Sequence, residues 1–341
     1  MIEISVTLRD IVDASGVSLA TVSRVLSGKT NLSSKKAIKV IEVAKKLGYE
    51  LPKEMVARRS MTFGVVASKN VEQSTSNAFF SEVIKGIANF CNTKDINIQL
   101  IIETQEELEL LRCAKLVENG DIDGFILLAS RVDDQLINYL SLNDFPFIVI
   151  GHVNKDSVYT VNTDGKKAFE QLTNHLIMLG HKTIGLINSS IKFVGSLDAL
   201  AGYRETLQKN NIEFDETLIY DGGLSWEESY ETALQILSNR NVPTALVVSD
   251  DIMAAAAIKA IREQGLKVPG DVAIVSYSDH YLASLMNPGL TTIRVPIIDL
   301  GFTAAKSLYQ IMNKEEVEKN IILETKLVIR DSCGFKKGAK V

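Results

Sequence analysis

From residue 62 onwards the chain alternates between apolar runs of strand length and amphipathic stretches of helix length. Strands that are apolar throughout and alternate with helices predict parallel sheets covered by helices on both faces. The alternation passes through two similar halves. We therefore predict a two-lobed α/β core, with a ligand cleft beyond the carboxyl ends of its strands.

The two halves can be assigned element by element. In the first half we expect strands at 62–67, 96–102, 124–129 and 145–150 and helices near 79–92, 106–119 and 133–142. In the second half we expect strands at 183–188, 218–220, 244–249 and 272–277 and helices near 165–179, 199–210, 226–237 and 252–264. A late segment at 290–296, a helix near 300–312 and a last strand around 323–329 are candidates for crossing back between the lobes.

The first 50 residues follow a different pattern, that of three short helices. Thr7 is placed to cap the first helix, with Asp10 three residues on. Gly16 lies in the link to the second helix, where a tight turn needs a residue that tolerates positive φ. Ser18 is placed to cap that second helix. The third helix is predicted from Ser33 to Lys46 and ends at Gly48; its expected core positions are Ala37, Ile38, Ile41, Ala44 and Leu47.

The second helix predicts a helix-turn-helix unit with a reading face. Val22 and Val25 point inward, which leaves Leu19, Ala20, Ser23 and Arg24 pointing outward. A small helical bundle that packs against another protein gives the same pattern. Charge favours DNA: residues 1–60 hold 11 Lys/Arg and 6 Asp/Glu, a net of +5, whereas the other 281 residues hold 26 and 36, a net of −10.

Composition and length limit the classes of protein that remain. A chain of 341 residues suggests two or three domains. It has neither an apolar run long enough to span a membrane nor the pattern of a secretory signal, and its three cysteines are far apart, so we expect a cytoplasmic protein. The four histidines lack metal-ligand spacing and no phosphate-binding glycine loop occurs, so we expect no metal, no cofactor and no enzymatic activity.

Motifs spread over the whole chain resemble those of the lactose/galactose-repressor family of bacterial transcription regulators. In the first part these are 16–18, 21–26, Gly28 and 47–49. In the body, 123–126, 179–181, 202–203, 249–254, 290–294 and 327–332 recur in matching order, and 161–165 with 193–198 is similar to maltose-type repressors. The resemblance implies a helix-turn-helix headpiece, a hinge, and a periplasmic-binding-protein-like core that dimerises and binds a small effector.

For DNA, the resemblance implies that Leu19, Ala20 and Arg24 select the operator. Apolar contact with a thymine methyl suits Leu19 and Ala20, and a forked contact with guanine suits Arg24. The remaining expected DNA contacts are Thr7, Leu8, Ser18, Thr21, Ser23 and Asn31 in the headpiece and Val56, Ala57 and Arg58 in the hinge. Ser60 stands where the family has a leucine that enters the minor groove, so Val56 or Met61 would have to supply an apolar wedge.

For the effector, the resemblance points to residues on both lobes. Trp226 matches a position that stacks on a sugar face, and Asp250 is a carboxylate that can accept hydroxyl protons. Ala199 replaces a common effector-binding arginine and Ser278 an aspartate. The other expected contacts are Asn77, Phe79, Phe80 and His152. Helix packing for Phe79 and Phe80, core packing for Trp226 and an interior position for His152 remain open alternatives.

We therefore predict a repressor of carbohydrate-utilisation genes that binds operator DNA as a homodimer and responds to a sugar or oligosaccharide. The alternatives are a corepressor- or phosphocarrier-dependent regulator and a sugar-binding receptor without DNA regulation. The expected domains are a headpiece (1–50), a hinge (51–61), a core (62–334) and a tail (335–341). Within the core we expect an N-subdomain of about 62–160 plus 294–322 and a C-subdomain of about 161–291 plus 323–333.

Overall fold

The computed structural model of the chain describes residues 6–27, 35–49, 60–68, 78–103, 105–128, 131–223, 225–239 and 241–335. The predictions made for Asn31, for Asn77 and for Val56, Ala57 and Arg58 in the hinge lie outside these ranges.

The headpiece consists of the helices α1 (Leu8–Ser15), α2 (Leu19–Leu26) and α3 (Lys35–Leu47). At the start of α1, Thr7 and Asp10 form a reciprocal capping box, which confirms the predicted cap. Gly16 ends α1 with φ at 67°, the left-handed conformation that the turn was predicted to need. The buried residues that join the three helices are Ile11, Val22, Val25, Leu26, Ala37, Val40 and Ala44.

The prediction for α3 is partly wrong. Ile38 is 45% exposed and Leu47 is exposed as well, whereas Val40 is fully buried. The inward stripe of α3 is Ala37, Val40 and Ala44, with Ile41 half-buried beside it. This stripe has the three-to-four spacing of a helix face, and Ile38 lies one residue off it.

The rest of the chain forms the α/β core, which confirms the predicted fold class. Its helices are α4 (Ala78–Thr93), α5 (Glu106–Asn119), α6 (Gln135–Leu142), α7 (Gly165–Met178), α8 (Val194–Lys209), α9 (Trp226–Ser238), α10 (Asp251–Glu263), α11 (Tyr281–Leu285) and α12 (Ile297–Met312). Its strands are β1 (Thr62–Ser68), β2 (Asn97–Glu103), β3 (Gly124–Leu128), β4 (Phe147–Ile150), β5 (Thr160–Thr163), β6 (Ile184–Asn188), β7 (Ile219–Asp221), β8 (Ala245–Val248), β9 (Ala273–Ser278), β10 (Thr291–Arg294), β11 (Asn320–Leu323) and β12 (Lys326–Val328).

These strands form two six-stranded sheets, one in each lobe. The first lobe has the order β11-β5-β4-β3-β1-β2, and the second has β12-β10-β9-β8-β6-β7. All neighbouring pairs are parallel except β10 and β12. The chain therefore passes between the lobes after β5, after β10 and between β11 and β12. In both sheets the loops at the carboxyl ends of the parallel strands are available to line a site.

The last strand, predicted around 323–329, corresponds to β12, whereas β11, which ends at Leu323, was not predicted. β11 pairs with β5 in the first lobe and β12 with β10 in the second. The chain changes lobe at Glu324 and Thr325, between the two strands. Two further differences are that β5 was not predicted and that α8 begins at Val194, five residues before the predicted start.

Two glycines let α4 and α12 touch backbone to backbone in the first lobe. A Cβ atom at Gly86 would lie 2.0 Å from the carbonyl oxygen of Ile298, and one at Gly301 would lie 2.1 Å from that of Val83. Both distances are far below van der Waals contact, so only glycine fits at either position. Phe90 extends the contact by packing edge-on against Phe302.

Within the described ranges no helix is both long enough and apolar enough to cross a membrane.

Candidate functional site

The solvent-facing side of α2 is one candidate site. Leu19 is 48% exposed, and Ala20, Ser23 and Arg24 are exposed beside it, as predicted. Leu19 and Ala20 begin the helix and Arg24 lies in its last turn. Because Val22, Val25 and Leu26 hold the opposite side in the headpiece core, the exposed side chains can contact a groove without disturbing the fold.

The small polar side chains around α2 are already engaged with one another. Ser18 occupies the N-cap position, but its hydroxyl makes no capping bond and lies 2.9 Å from the Thr21 hydroxyl, which corrects the predicted cap. Thr7 is exposed and its hydroxyl donates to the Asp10 carboxylate at 2.7 Å. Leu8, expected at the DNA, is half-buried and packs against the headpiece core.

A second candidate site lies in the second lobe, where two consecutive aspartates follow β8. The backbone N–H of Ile252 donates to Asp250 Oδ1 at 2.7 Å, so Asp250 caps α10. Asp250 is partly exposed, whereas Asp251 is fully buried. Burial raises the pKa of Asp250, an effect that hydrogen bonds from Ile252, Met253 and Ser278 oppose.

Asp251, the residue after Asp250, accepts hydrogen bonds from three parts of the second lobe. Its Oδ1 accepts hydrogen bonds from Ser276 at 2.5 Å and from Thr292 at 2.9 Å, and its Oδ2 accepts one from the His280 N–H at 2.7 Å. Burial, and next the charge of Asp250, raise the pKa of Asp251 to about 7. The carboxyl group thus connects β9 and β10 with the residue that precedes α11.

Next to these aspartates, His280 connects the second lobe with the first. Its side chain is buried, and Nε2 lies 3.6 Å from Glu82 Oε1 on α4. Ser278, at the end of β9, is also buried and has φ at 133°, a conformation rarely adopted by side-chain-bearing residues. This strained turn places the Ser278 hydroxyl within hydrogen-bonding distance of Asp250. It also places the His280 side chain next to Glu82.

A network of polar side chains extends from these residues to the end of β6. Asn188 donates from Nδ2 to the Ser196 carbonyl at 2.9 Å and accepts from the Ser249 hydroxyl at 2.8 Å. The hydroxyls of Ser189 and Ser196 lie 2.8 Å apart. We call the side chains of Asn188, Ser189, Ser249, Asp250, Ser278 and His280 the polar wall. It offers hydroxyl, amide and carboxyl groups at the carboxyl ends of three neighbouring strands.

The two lobes also meet away from Glu82 and His280. His152, which follows β4, has Nδ1 2.9 Å from Asp198 Oδ2 on α8. The Val132 N–H donates to the Lys192 carbonyl at 2.9 Å, and Arg131 forms an antiparallel bridge with Phe193. The lobes are therefore in contact at several points, and His280 brings the polar wall next to Glu82 of the first lobe.

The other predicted effector residues in the described ranges have the following surroundings. Ala199 is 1% exposed and belongs to the apolar core, as does Phe80, while Phe79 is half-buried against that core. Trp226 stacks on Tyr230 of its own helix with centroids 5.3 Å apart, and Lys259 Nζ lies 5.7 Å from its ring. Trp226 is therefore next to Lys259, which lies about 12 Å along α10 from Asp251, given a rise of 1.5 Å per residue.

Sequence reasoning did not assign several residues of this region to the site: Glu82, Asn188, Ser189, Asp198, Ser249, Asp251 and His280. Asp251 and His280 follow strands β8 and β9, and that position relative to a predicted parallel sheet was a usable signal. Nothing local marks Glu82 or Asp198, because each gains its role from a partner in the other lobe.

Comparison with known proteins agrees with this architecture. Residues 7–51 match the family model described as bacterial regulatory proteins, lacI family, and residues 173–333 match a periplasmic binding protein-like domain. The chain is 30% identical over 336 residues to the HTH-type transcriptional regulator RegA of Clostridium saccharobutylicum, covering 96% of this chain and 98% of that protein.

Two solved structures extend the similarity to full length. One is a complex of the transcriptional regulator CelR with cellobiose, with a TM-score of 0.76 and 28% identity over 96% of this chain and 99% of that one. The other is the lac repressor dimer bound to operator and the anti-inducer ONPF, with a TM-score of 0.72 and 25% identity over 96% and 99%. This chain belongs to the LacI family of bacterial transcription regulators.

Proposed function

We propose that this protein is a homodimeric repressor of carbohydrate-utilisation genes, whose affinity for operator DNA changes when a sugar or oligosaccharide binds between the lobes. The observation that carries the proposal is the pairing, in one chain, of an exposed recognition face on α2 with the polar wall in a two-lobed core. CelR with cellobiose and the lac repressor with operator supply the precedent for each half of the pairing.

At the DNA, Leu19, Ala20 and Arg24 would read bases in the major groove. Arg24 is exposed on the recognition face and can present its guanidinium fork to a guanine edge. Thr7, Ser18, Thr21 and Ser23 would contact phosphates, which fix the position of the headpiece rather than the sequence it reads. Asn31, Val56, Ala57 and Arg58 complete the proposed DNA contacts.

In the cleft, the Asp250 carboxylate would accept hydrogen bonds from sugar hydroxyls. The Ser278 hydroxyl would accept or donate them. Partial exposure of Asp250 supports this role, because a carboxyl group that is not fully buried can be reached by a ligand. Phe79 and His152, with Asn77, would approach the ligand from the first lobe. Trp226 fits this role less well, because Tyr230 already covers one of its ring faces.

The proposed dimer places a second copy of the chain on the second lobe near α11. Tyr281 and Leu285 are 63% and 72% exposed there, beside an open groove formed mainly by α10. Large apolar side chains grouped at a groove are typical of protein interfaces. A two-fold dimer would present two copies of α2 to a palindromic operator.

The proposed mechanism is a shift between two arrangements of the lobes. An effector that binds one arrangement more tightly changes the relative positions of the two headpieces, and so the affinity for DNA. An effector that lowers the affinity for DNA is an inducer, and one that raises it is a corepressor. We propose no catalytic activity and a cytoplasmic location, because the relatives with this architecture are DNA-binding regulators.

The test starts from an operator selected from random DNA with the full-length protein. Fluorescence anisotropy then measures its affinity with and without maltose or cellobiose. Arg24→Ala should weaken specific binding by about 1–3 kcal/mol and relax the preference at one base pair. The matched control is Arg204→Ala, which removes a positive charge from helix α8 in the core. It should leave the affinity for operator DNA unchanged. Retention of full sequence preference by Arg24→Ala would refute the assignment of the reading face.

A further inference from the structure

The turn formed by residues 278–280 joins the polar wall to the segment in which the chain crosses from β10 into the first lobe. We infer that Asp279 is the positioning residue of this turn: its ion pairs with Arg294 and Arg330 hold Ser278 at the cleft and His280 at the first lobe. This role rests on the proposed function, because it makes the turn the element through which an effector at the polar wall acts on the arrangement of the lobes.

The three residues of the turn reach three different neighbours. The Ser278 hydroxyl lies within hydrogen-bonding distance of Asp250 in the polar wall. His280 Nε2 lies 3.6 Å from Glu82 Oε1 in the first lobe. The Asp279 side chain, which is 4% exposed, is directed at two arginines of the second lobe. Because Asp279 is the link between the other two residues, a change in its position displaces a cleft residue and a contact between the lobes together.

The backbone of the turn is strained and needs contacts that hold it. Ser278 has φ at 133° and Asp279 has φ at 54°, in a region that residues with side chains rarely adopt. Such conformations persist only where the surrounding structure holds them. Arg294 Nε lies 2.6 Å from Asp279 Oδ2, and Arg330 Nη2 lies 2.7 Å from Oδ1. The Asp279 N–H adds a hydrogen bond to the Thr292 hydroxyl at 3.3 Å. Loss of the arginine contacts should therefore let the turn relax.

The same contacts bind the turn to the crossing segment. Arg294 is the last residue of β10, and Val295 and Pro296 follow it before α12 begins in the first lobe. The Val295 N–H donates to the Ser278 carbonyl at 3.2 Å. The crossing segment is thus joined to the turn by a backbone hydrogen bond and by a side chain. A ligand that displaces Ser278 therefore also displaces the chain that enters α12.

The two arginines differ in what their loss would do. Arg330 is 18% exposed, and its Nη1 also donates to the Leu290 carbonyl at 2.7 Å, so it helps to hold the second lobe together. Arg294 is 56% exposed and lies at the crossing segment. Removing the Arg294 charge leaves the Asp279 carboxylate paired with Arg330, so the buried charge keeps a partner. Arg294 is therefore the residue at which the coupling can be changed without unfolding the lobe.

The test measures the arrangement of the lobes in the full-length protein without any sugar. Spin labels at Leu142→Cys in the first lobe and Met178→Cys in the second report the distance, because both positions are exposed and the three native cysteines are buried. Arg294→Gln should increase the population of more open arrangements at least about fivefold. Arg294→Lys keeps the charge beside Asp279 and should restore most of the wild-type distance distribution.

Arg204→Gln is the matched control for the loss of one positive charge. Arg204 is an exposed arginine of α8, and its carboxylate partner, Glu216, lies 3.9 Å away on the surface. This variant should have the same distance distribution as the wild type.

Operator affinity supplies the second measurement. Fluorescence anisotropy gives the ratio of operator affinities with and without maltose or cellobiose, and Arg294→Gln should bring that ratio at least about threefold closer to one. An unchanged distance distribution in Arg294→Gln overturns the inference, and so does an unchanged ratio where the wild type responds to a sugar. If neither sugar changes the operator affinity of the wild type, the proposed carbohydrate effector fails, and the label distances alone decide on the role of Asp279.

Discussion

His152 Nδ1 lies 2.9 Å from Asp198 Oδ2, and this contact joins the first lobe to α8 of the second at the rim of the cleft. Both side chains are partly exposed, so the contact is worth about 0.2–1 kcal/mol. His152→Ala should therefore shift the lobes toward an open arrangement by a factor of about 1.4–5. The distance between spin labels at Leu142→Cys and Met178→Cys would report this shift, because both positions are exposed and Cys91, Cys113 and Cys333 are buried.

The same labels test whether Asp198 acts through His152. In a double-mutant cycle, Asp198→Asn should have no further effect in the His152→Ala background. Equal effects of Asp198→Asn in both backgrounds would show that the two residues act independently.

Replacing Gly86 or Gly301 with alanine should destabilise the first lobe. The added methyl group would meet backbone oxygen atoms that cannot turn away, so we expect a loss of about 3 kcal/mol or more in the free energy of unfolding. Urea denaturation measures it. Gly195→Ala in α8 is the control: no atom lies within 4 Å of its added Cβ, and the helix should be unchanged or stabilised. Wild-type stability in Gly86→Ala would contradict the close crossing of α4 and α12.

The buried carboxyl of Asp251 should make stability fall as the pH rises. Its pKa is about 7 in the folded chain and about 3.9 when unfolded, so between these values the folded state binds the extra proton. Its contribution to the free energy of unfolding should therefore fall by up to about 1.4 kcal/mol per pH unit between about pH 4.5 and 6.5. Asp251→Asn should remove that part of the slope in urea denaturation. Identical slopes for the two proteins would show that Asp251 does not titrate there.

Two substitutions in α2 should distinguish the residues that determine base preference from those that stabilise the headpiece. Leu19→Ala removes a side chain that is 48% exposed, so it should change base preference and leave headpiece stability nearly unchanged. Val22→Ala removes two buried methyl groups and should cost roughly 1–3 kcal/mol of headpiece stability. Operator selection and thermal denaturation measure the two effects. A large loss of stability in Leu19→Ala would place that residue in the core instead.

Local pattern predicted most of the architecture, because helix caps and apolar periodicity act over a few residues. Thr7 with Asp10 and the buried Val22 and Val25 are examples. The errors arise where distant partners decide. β11 was not predicted, because it becomes a strand by pairing with β5, which lies far earlier in the chain.

The candidate site was less predictable than the fold for the same reason. The assignment of Trp226 to the effector, made by its match to a family position, stays a prediction, and one face of its ring stacks on Tyr230, one turn later. Four of the missed residues, Glu82, Asp198, Asp251 and His280, gain their roles from contacts between elements far apart in sequence. Asp251 illustrates this, because it gains its role from Ser276 and Thr292.

The contact of α4 with α12 at Gly86 and Gly301 has a consequence for how the molecule can move. With no side chains between the two backbones at these points, the helices have no alternative interdigitation and no room to slide. The first lobe should then rotate as a rigid body, with its displacement absorbed by the three segments that connect the lobes. We expect Val295 and Pro296, which lead from β10 directly into α12, to act as a hinge through which a change at the second-lobe strands reorients α4 and α12 together.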